Sequence, residues 1–123
     1  MGRNGHERLQ HALRAALKAR DPAAVAAFRS ALAAIGNAEA LPAPAAPAKT
    51  VSQYLAGSVA GLGAAEASRR VLSETEMAAI VSAEIAERRT AADQYQHGGH
   101  ADRANLLRRE ADALAAVVPA DPA

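Results

Sequence analysis

The residues able to do chemistry here are an arginine and several glutamates set among apolar side chains, four histidines, and scattered serines. At about 100° per residue, helical spacing gathers Met77, Ile80, Val81, Ile85, Ala92 and Tyr95 into one arc. Arg88 falls near the centre of that arc, and Glu84 falls inside it. Further on, Arg103 and Glu110 fall inside the arc of Leu106, Leu107 and Leu114. Folding these two stretches together about Gly98-Gly99 sets position 88 opposite 109 or 110. The phase therefore predicts an Arg88–Glu110 ion pair between two apolar faces. A buried charge must be paired or it costs several kcal/mol. Such a pair either fixes helix register or frames a polar site.

The other reactive side chains form weaker patterns. His97 and His100 flank two glycines, and His6 and His11 are five apart. Neither spacing comes with the third ligand of a metal site, so no metal is expected. Ser52, Ser58, Ser68 and Ser82 have no histidine placed by a motif for nucleophilic catalysis. The glycines at 57, 61 and 63 do not follow a strand, which argues against a phosphate loop. Arg69-Arg70, Arg88-Arg89 and Arg108-Arg109 are the basic doublets. Such groups can position a phosphate backbone, but glutamates are interleaved and no aromatic stacking platform accompanies them. Arg69, Arg70, Arg89, Asn37 and Glu39 are the candidate RNA or partner contacts. Glu39 continues the stripe of Phe28, Leu32 and Ile35, and stands either solvated or opposite an arginine such as Arg88. No catalytic constellation and no cofactor are expected.

Four helices have to position these residues. The first runs from about Gly5 to Ala19, with Asn4 and Glu7 as a cap pair and Leu9, Leu13 and Leu17 on one side. Asp21-Pro22 reads as an N-cap followed by proline at the first helical position. The second helix continues to about Asn37, with Val25, Phe28, Leu32 and Ile35 as its stripe, and folds back on the first as a hairpin. Leu72-Ser73-Glu74-Thr75-Glu76-Met77 contains a capping box with a hydrophobic staple. It opens the third helix, about Glu74 to Gln96, which Gly98-Gly99 ends with a left-handed cap. The fourth helix runs from about Ala101 to Val117, stopped by Pro119. Between the hairpins, Pro42, Pro44 and Pro47 read as an extended linker. Val51 to Ala64 reads as an irregular glycine-containing segment draped over the bundle.

Composition agrees. The chain has 123 residues, enough for one domain with a modest core. Half the residues are hydrophobic, yet there are only one Phe, two Tyr and no Trp. Alanine, the best helix former, supplies most of the rest and lets helices approach closely. The expected fold is all-α: two antiparallel helical hairpins, about 5–40 and about 72–118, joined by a Pro/Ala/Gly-rich linker over 41–71. The formal charge of +1 gives no global electrostatic case for nucleic acid. With no cysteine there is no disulfide, thiolate nucleophile or Cys-ligated zinc. The opening Met1–His6 has no apolar run, so a signal peptide is not expected. His6 stands where a myristoylation signal needs Ser or Thr. No apolar run approaches ~20 residues, so no membrane span is expected. The alanine content and the excess of Arg over Lys point to a GC-rich bacterial genome, and a cytoplasmic location is expected.

Taken in order, several stretches carry a family likeness. Leu13-Arg14-Ala15-Ala16-Leu17-Lys18-Ala19-Arg20-Asp21, then Phe28-Arg29, then Leu32-Ala33-Ala34-Ile35-Gly36-Asn37-Ala38-Glu39 resembles the first helical hairpin of the GatB/YqeY family. Leu72-Ser73-Glu74-Thr75-Glu76, Glu84-Ile85-Ala86-Glu87-Arg88-Arg89, Tyr95, Glu110 and Val118-Pro119 resemble its second. The likeness covers most of the chain outside 41–68, and rests on order and spacing rather than on one diagnostic piece. It implies an all-helical fold. In GatB the equivalent domain is an appendage of a glutamine-dependent tRNA amidotransferase that helps hold tRNA. Stand-alone YqeY proteins bring no established activity, and the carbon–nitrogen ligase label reaches them by association only. The family usually continues past the Leu-Pro after its fourth helix into a three-helix tail most associated with tRNA, which is not expected here. Gly36 stands where a lysine is common, Gly98-Gly99-His100 replaces a more usual Gly-Arg turn, and the linker looks like an insertion. Two functions follow. One is a non-catalytic module that binds a protein partner or self-associates as a homo-oligomer. The other is an accessory tRNA-binding module.

Overall fold

A computed structural model describes residues 4–41 and 70–118. Among these residues the chain is all-helical: α1 (Gly5–Ala19), α2 (Pro22–Ala40), α3 (Glu74–His97) and α4 (Ala101–Val117), with no strand. The linker and the irregular segment expected over 42–69 lie outside the described residues. The described residues belong to two compact units, 4–35 with 73–118, and 36–41 with 70–72. α2 begins in the first unit and ends in the second.

Side-chain caps close the starts of α1, α2 and α3, while α4 has none at His100. Asn4 Oδ1 accepts the Glu7 N–H at 2.8 Å, and Asp21 Oδ1 accepts the Ala24 N–H at 3.2 Å. At α3 the capping box is complete: Ser73 Oγ accepts the Glu76 N–H and Glu76 Oε1 accepts the Ser73 N–H, each at 3.0 Å. Orphan donors of the first turn are thereby satisfied. The α3–α4 turn closes on the C=O groups of the preceding helix. His100 N–H donates to Tyr95 O at 2.8 Å and Gly98 N–H to Gln94 O at 3.0 Å. Gly99, at φ +83°, is the left-handed residue that turns the chain.

In the first unit, α3 and α4 pack along each other as a hairpin, and α1 meets both. Ala92, Ala104 and Leu107 form one buried cluster with Ala91 packed against it. The interior is completed by Leu9 and Ala16 of α1, Ala27, Phe28, Ala31 and Ile35 of α2, Met77 and Val81 of α3, and Ala111 and Leu114 of α4. Alanines with no exposed surface stand on α2, α3 and α4, at 27, 31, 92, 104 and 111. That is the close approach expected of an alanine-rich chain.

Four expectations are corrected. Leu17 does not share the buried side of Leu9; it is 47% exposed while Leu9 is buried. A step of four residues advances about 40° around the helix, so two steps carry the side chain off the face. On α2 the buried side runs through Ala24, Ala27, Phe28, Ala31 and Ile35, leaving Val25 and Leu32 half-buried at its margin. Tyr95 is 40% exposed near the end of α3, where the arc leaves the core. α2 also continues beyond Asn37 to Ala40, because Ala38, Glu39 and Ala40 are adequate helix formers and Gly36 does not leave the helical region.

A non-glycine residue in the left-handed region ends α1. Arg20, at φ 56°, donates its N–H to Leu17 O, and Asp21 donates to Ala16 O. The loop between α1 and α2 is too short for any other exit from the helix. Glu74 then joins two helix starts. One of its oxygens accepts the Gly5 N–H at 2.7 Å, and the other receives Arg8 Nη2 at 3.2 Å. A carboxylate at a helix N-terminus is favourable because the peptide dipoles leave partial positive charge there.

In the second unit the Arg70 N–H donates to the carbonyl of Glu39 at 2.9 Å, which holds the returning chain to the end of α2. Leu41 is 58% and Val71 90% exposed there.

Candidate functional site

Among the described residues, Ser30, Glu84, Arg88 and Glu110 form a polar cluster mostly covered by the helices. Arg88 Nε donates to Glu110 Oε1 at 2.9 Å. Arg88 Nη1 donates to Glu84 Oε1 at 3.0 Å and to the Glu84 carbonyl at 3.2 Å. Ser30 Oγ donates to that same Glu84 oxygen at 2.6 Å. The chain Ser30–Glu84–Arg88–Glu110 thus ties α2, α3 and α4. The Arg88, Glu84 and Glu110 side chains are 13%, 15% and 12% exposed. They are mostly covered by the bundle, though not wholly removed from water as the phase alone implies.

The cluster's position follows from sequence spacing. Glu84 and Arg88 are one turn apart on α3, so a single arginine reaches along its own helix and across to α4. The guanidinium fork suits this, since it offers several donors in fixed directions. Glu84 Oε1 accepts from both Ser30 and Arg88, so it is already engaged from two sides. On Glu110, Oε1 is the oxygen engaged, by Arg88 Nε. The geometry is that of an internal brace.

Arg89, next in sequence to Arg88, faces outward, 57% exposed, with Nη2 3.9 Å from Asp112 Oδ1. Asn37 is exposed and Glu39 half-buried. Arg70 is half-buried, and Arg69 lies outside the described residues. Asn37, Glu39 and Arg70 belong to the second unit, and Arg89 to the first. Arg108 reaches both Asp93 at 3.3 Å and Gln96 at 3.1 Å across the hairpin. Near the turn, the Arg103 guanidinium sits over the Tyr95 ring at 5.8 Å, and His100 meets that ring edge-on at 6.0 Å. His97 Nδ1 is 2.8 Å from the Asp93 carbonyl. Among the described residues no group of three His, Asp or Glu is placed to hold a metal ion, and no helix is long and apolar enough to cross a membrane.

Sequence reasoning misses two participants. Ser30 carries no signal, because helical phase orders residues along one helix and does not say which third helix covers a pair. Glu74 reads as part of the α3 start, while its partners lie at the start of α1. Compared with protein-family models, with curated proteins and with solved structures, the chain matches none of them.

Proposed function

We propose that this chain is a non-catalytic helical module, YqeY-like in kind, that binds a protein partner or a second copy of itself. The observation that carries this reading is the closure of the Ser30–Glu84–Arg88–Glu110 cluster. Arg88 is engaged by both Glu84 and Glu110, and Ser30 by Glu84, which braces three helices as a scaffold requires. The resemblance to the GatB/YqeY family supports the same view, together with pairing of α1 and α2 as a first hairpin, a bacterial origin and a cytoplasmic setting.

The resemblance also supports an accessory tRNA-binding role, which would draw on the exposed Arg89. Against it, Arg88 is engaged inside the bundle and is not offered to a phosphate. A gel-shift series with total tRNA across salt concentrations separates the two. Real phosphate contacts give a steep salt slope. The partner-binding reading expects no retardation at low salt and a defined protein in pulldowns from the native cell. Tight, salt-sensitive retardation abolished by Arg89→Ala would replace it with the RNA reading.

A further inference from the structure

We propose that the outward face of α1 built by His11, Arg14, Leu17 and Lys18 docks an acidic amphipathic helix of a partner protein; this rests on the partner-binding reading above. The four side chains are exposed. His11, Arg14 and Lys18 sit opposite the buried Leu9 and Ala16, Leu17 lies between the two sides, and with Ala15 the four line a shallow open depression. His11, Arg14 and Lys18 follow helical spacing, so they form one stripe about 10 Å long, two turns of helix. Leu17 flanks it and is 47% exposed.

What marks this face is that no acid stands beside Arg14 and Lys18 on it; exposed cations without a carboxylate also occur singly elsewhere, at Arg29 and Arg109. On α3 and α4, Arg88, Arg89 and Arg108 each have a carboxylate partner. Arg14 and Lys18 pair with no described residue, and the only acid on α1 is Glu7 in its first turn. Lys18 lies in the last turn, where a cation suits the helix dipole. That account does not reach Arg14, in the middle of the helix. Carboxylates one and two turns apart on a facing helix would complement the stripe, and an apolar neighbour among them would cover Leu17. A nucleic acid fits less well. His11 is the one ring among these side chains, with no Phe, Tyr or Trp beside it as a stacking platform, and the aliphatic flank of Leu17 offers a phosphate backbone nothing.

The test uses the full chain and a fluorescein-labelled helical peptide bearing Glu at successive turns and a flanking Leu, with a Lys-for-Glu twin as control. Fluorescence anisotropy at about 0.05 M and about 0.3 M NaCl reads the salt dependence. The Glu peptide should bind, and the Lys peptide should not. Affinity should fall at least about tenfold in Arg14→Glu/Lys18→Glu and less in Leu17→Ala. It should be kept in Arg109→Glu, an exposed cation on α4. A thermal melt checks folding, and Arg14→Gln/Lys18→Gln replaces the reversal if that variant does not fold. The proposal is overturned by equal binding of the two peptides, by no loss in the variants, or by tRNA binding more tightly than the Glu peptide through the same residues. It is equally overturned if the face proves to hold a second copy, shown by a dimer in sedimentation that the reversal separates. If a native-cell partner is retained equally by wild type and Arg14→Glu/Lys18→Glu, this surface is wrong and the partner-binding reading stands.

Discussion

The α3–α4 hairpin and α1 carry similar cations and treat them differently. In the hairpin, Arg88 is held between Glu84 and Glu110, Arg89 approaches Asp112, and Arg108 reaches Asp93. On α1, Arg14 and Lys18 face solvent with no carboxylate among the described residues. The hairpin was built with its charges interleaved, two helices supplying both signs. α1 has one acid, Glu7, in its first turn, and Arg8 is drawn to Glu74 of α3. The difference teaches that Arg88 serves inside the bundle because two helices supply it with acids, whereas Arg14 and Lys18 on an acid-poor helix are left outward, as are Arg89, next to Arg88, and Arg109, next to Arg108.

The largest way to break that contrast is at Arg88. Its replacement by Ala leaves Glu84 and Glu110 without their shared counter-charge and should destabilise by about 3 kcal/mol in a denaturant melt. Glu110→Ala should cost only about half as much, because Glu84 still neutralises the guanidinium. Equal losses would mean that Glu84 contributes nothing. The contrast within α1 comes next. Leu9→Ala should cost roughly 3 kcal/mol and leave a cavity, whereas Leu17→Ala should stay within about 0.5 kcal/mol of wild type. Ser30→Ala removes a hydrogen bond to a carboxylate and should cost about 1.5 kcal/mol. Ser73→Ala should cost about 1 kcal/mol through the lost cap, and an unchanged melt would mean that α3 does not begin there. At the small end, Arg14→Ala should leave stability unchanged within about 0.5 kcal/mol, since no described partner is lost. A larger loss at Arg14 would show that α1 is braced like the hairpin, and the contrast would dissolve.

Much of the hairpin was legible beforehand because caps and phase are local. Asn4, Asp21 and Ser73 each hold a backbone N–H three residues ahead, which sequence spacing alone specifies. The start of α1 follows from such a cap, and the bounds of α4 from Gly98-Gly99 before it and Pro119 after it. The meeting of Arg88 with Glu110 follows from helical phase plus a tight turn, without knowledge of other elements. Ser30 was not legible, because its role needs the position of α2 against α3. Leu17 and Tyr95 were misplaced for a simpler reason: a stripe read at fixed steps drifts around the helix, and the buried arc has a finite width. Arg20 in the left-handed region was missed because glycine is the usual signal there, and the short connection forces the conformation on whatever residue stands in it.

The central claim is that Arg88 and Glu110 are coupled inside the bundle, and a double-mutant cycle measures it. Arg88→Met, Glu110→Leu and the double variant are melted side by side. The double variant should be less destabilised than Arg88→Met alone, because only Glu84, and no longer Glu110 as well, is left covered without its counter-charge. The coupling energy should exceed about 1 kcal/mol. Losses that simply add would contradict it, and would show two independent, solvated side chains where the structure places a three-helix brace.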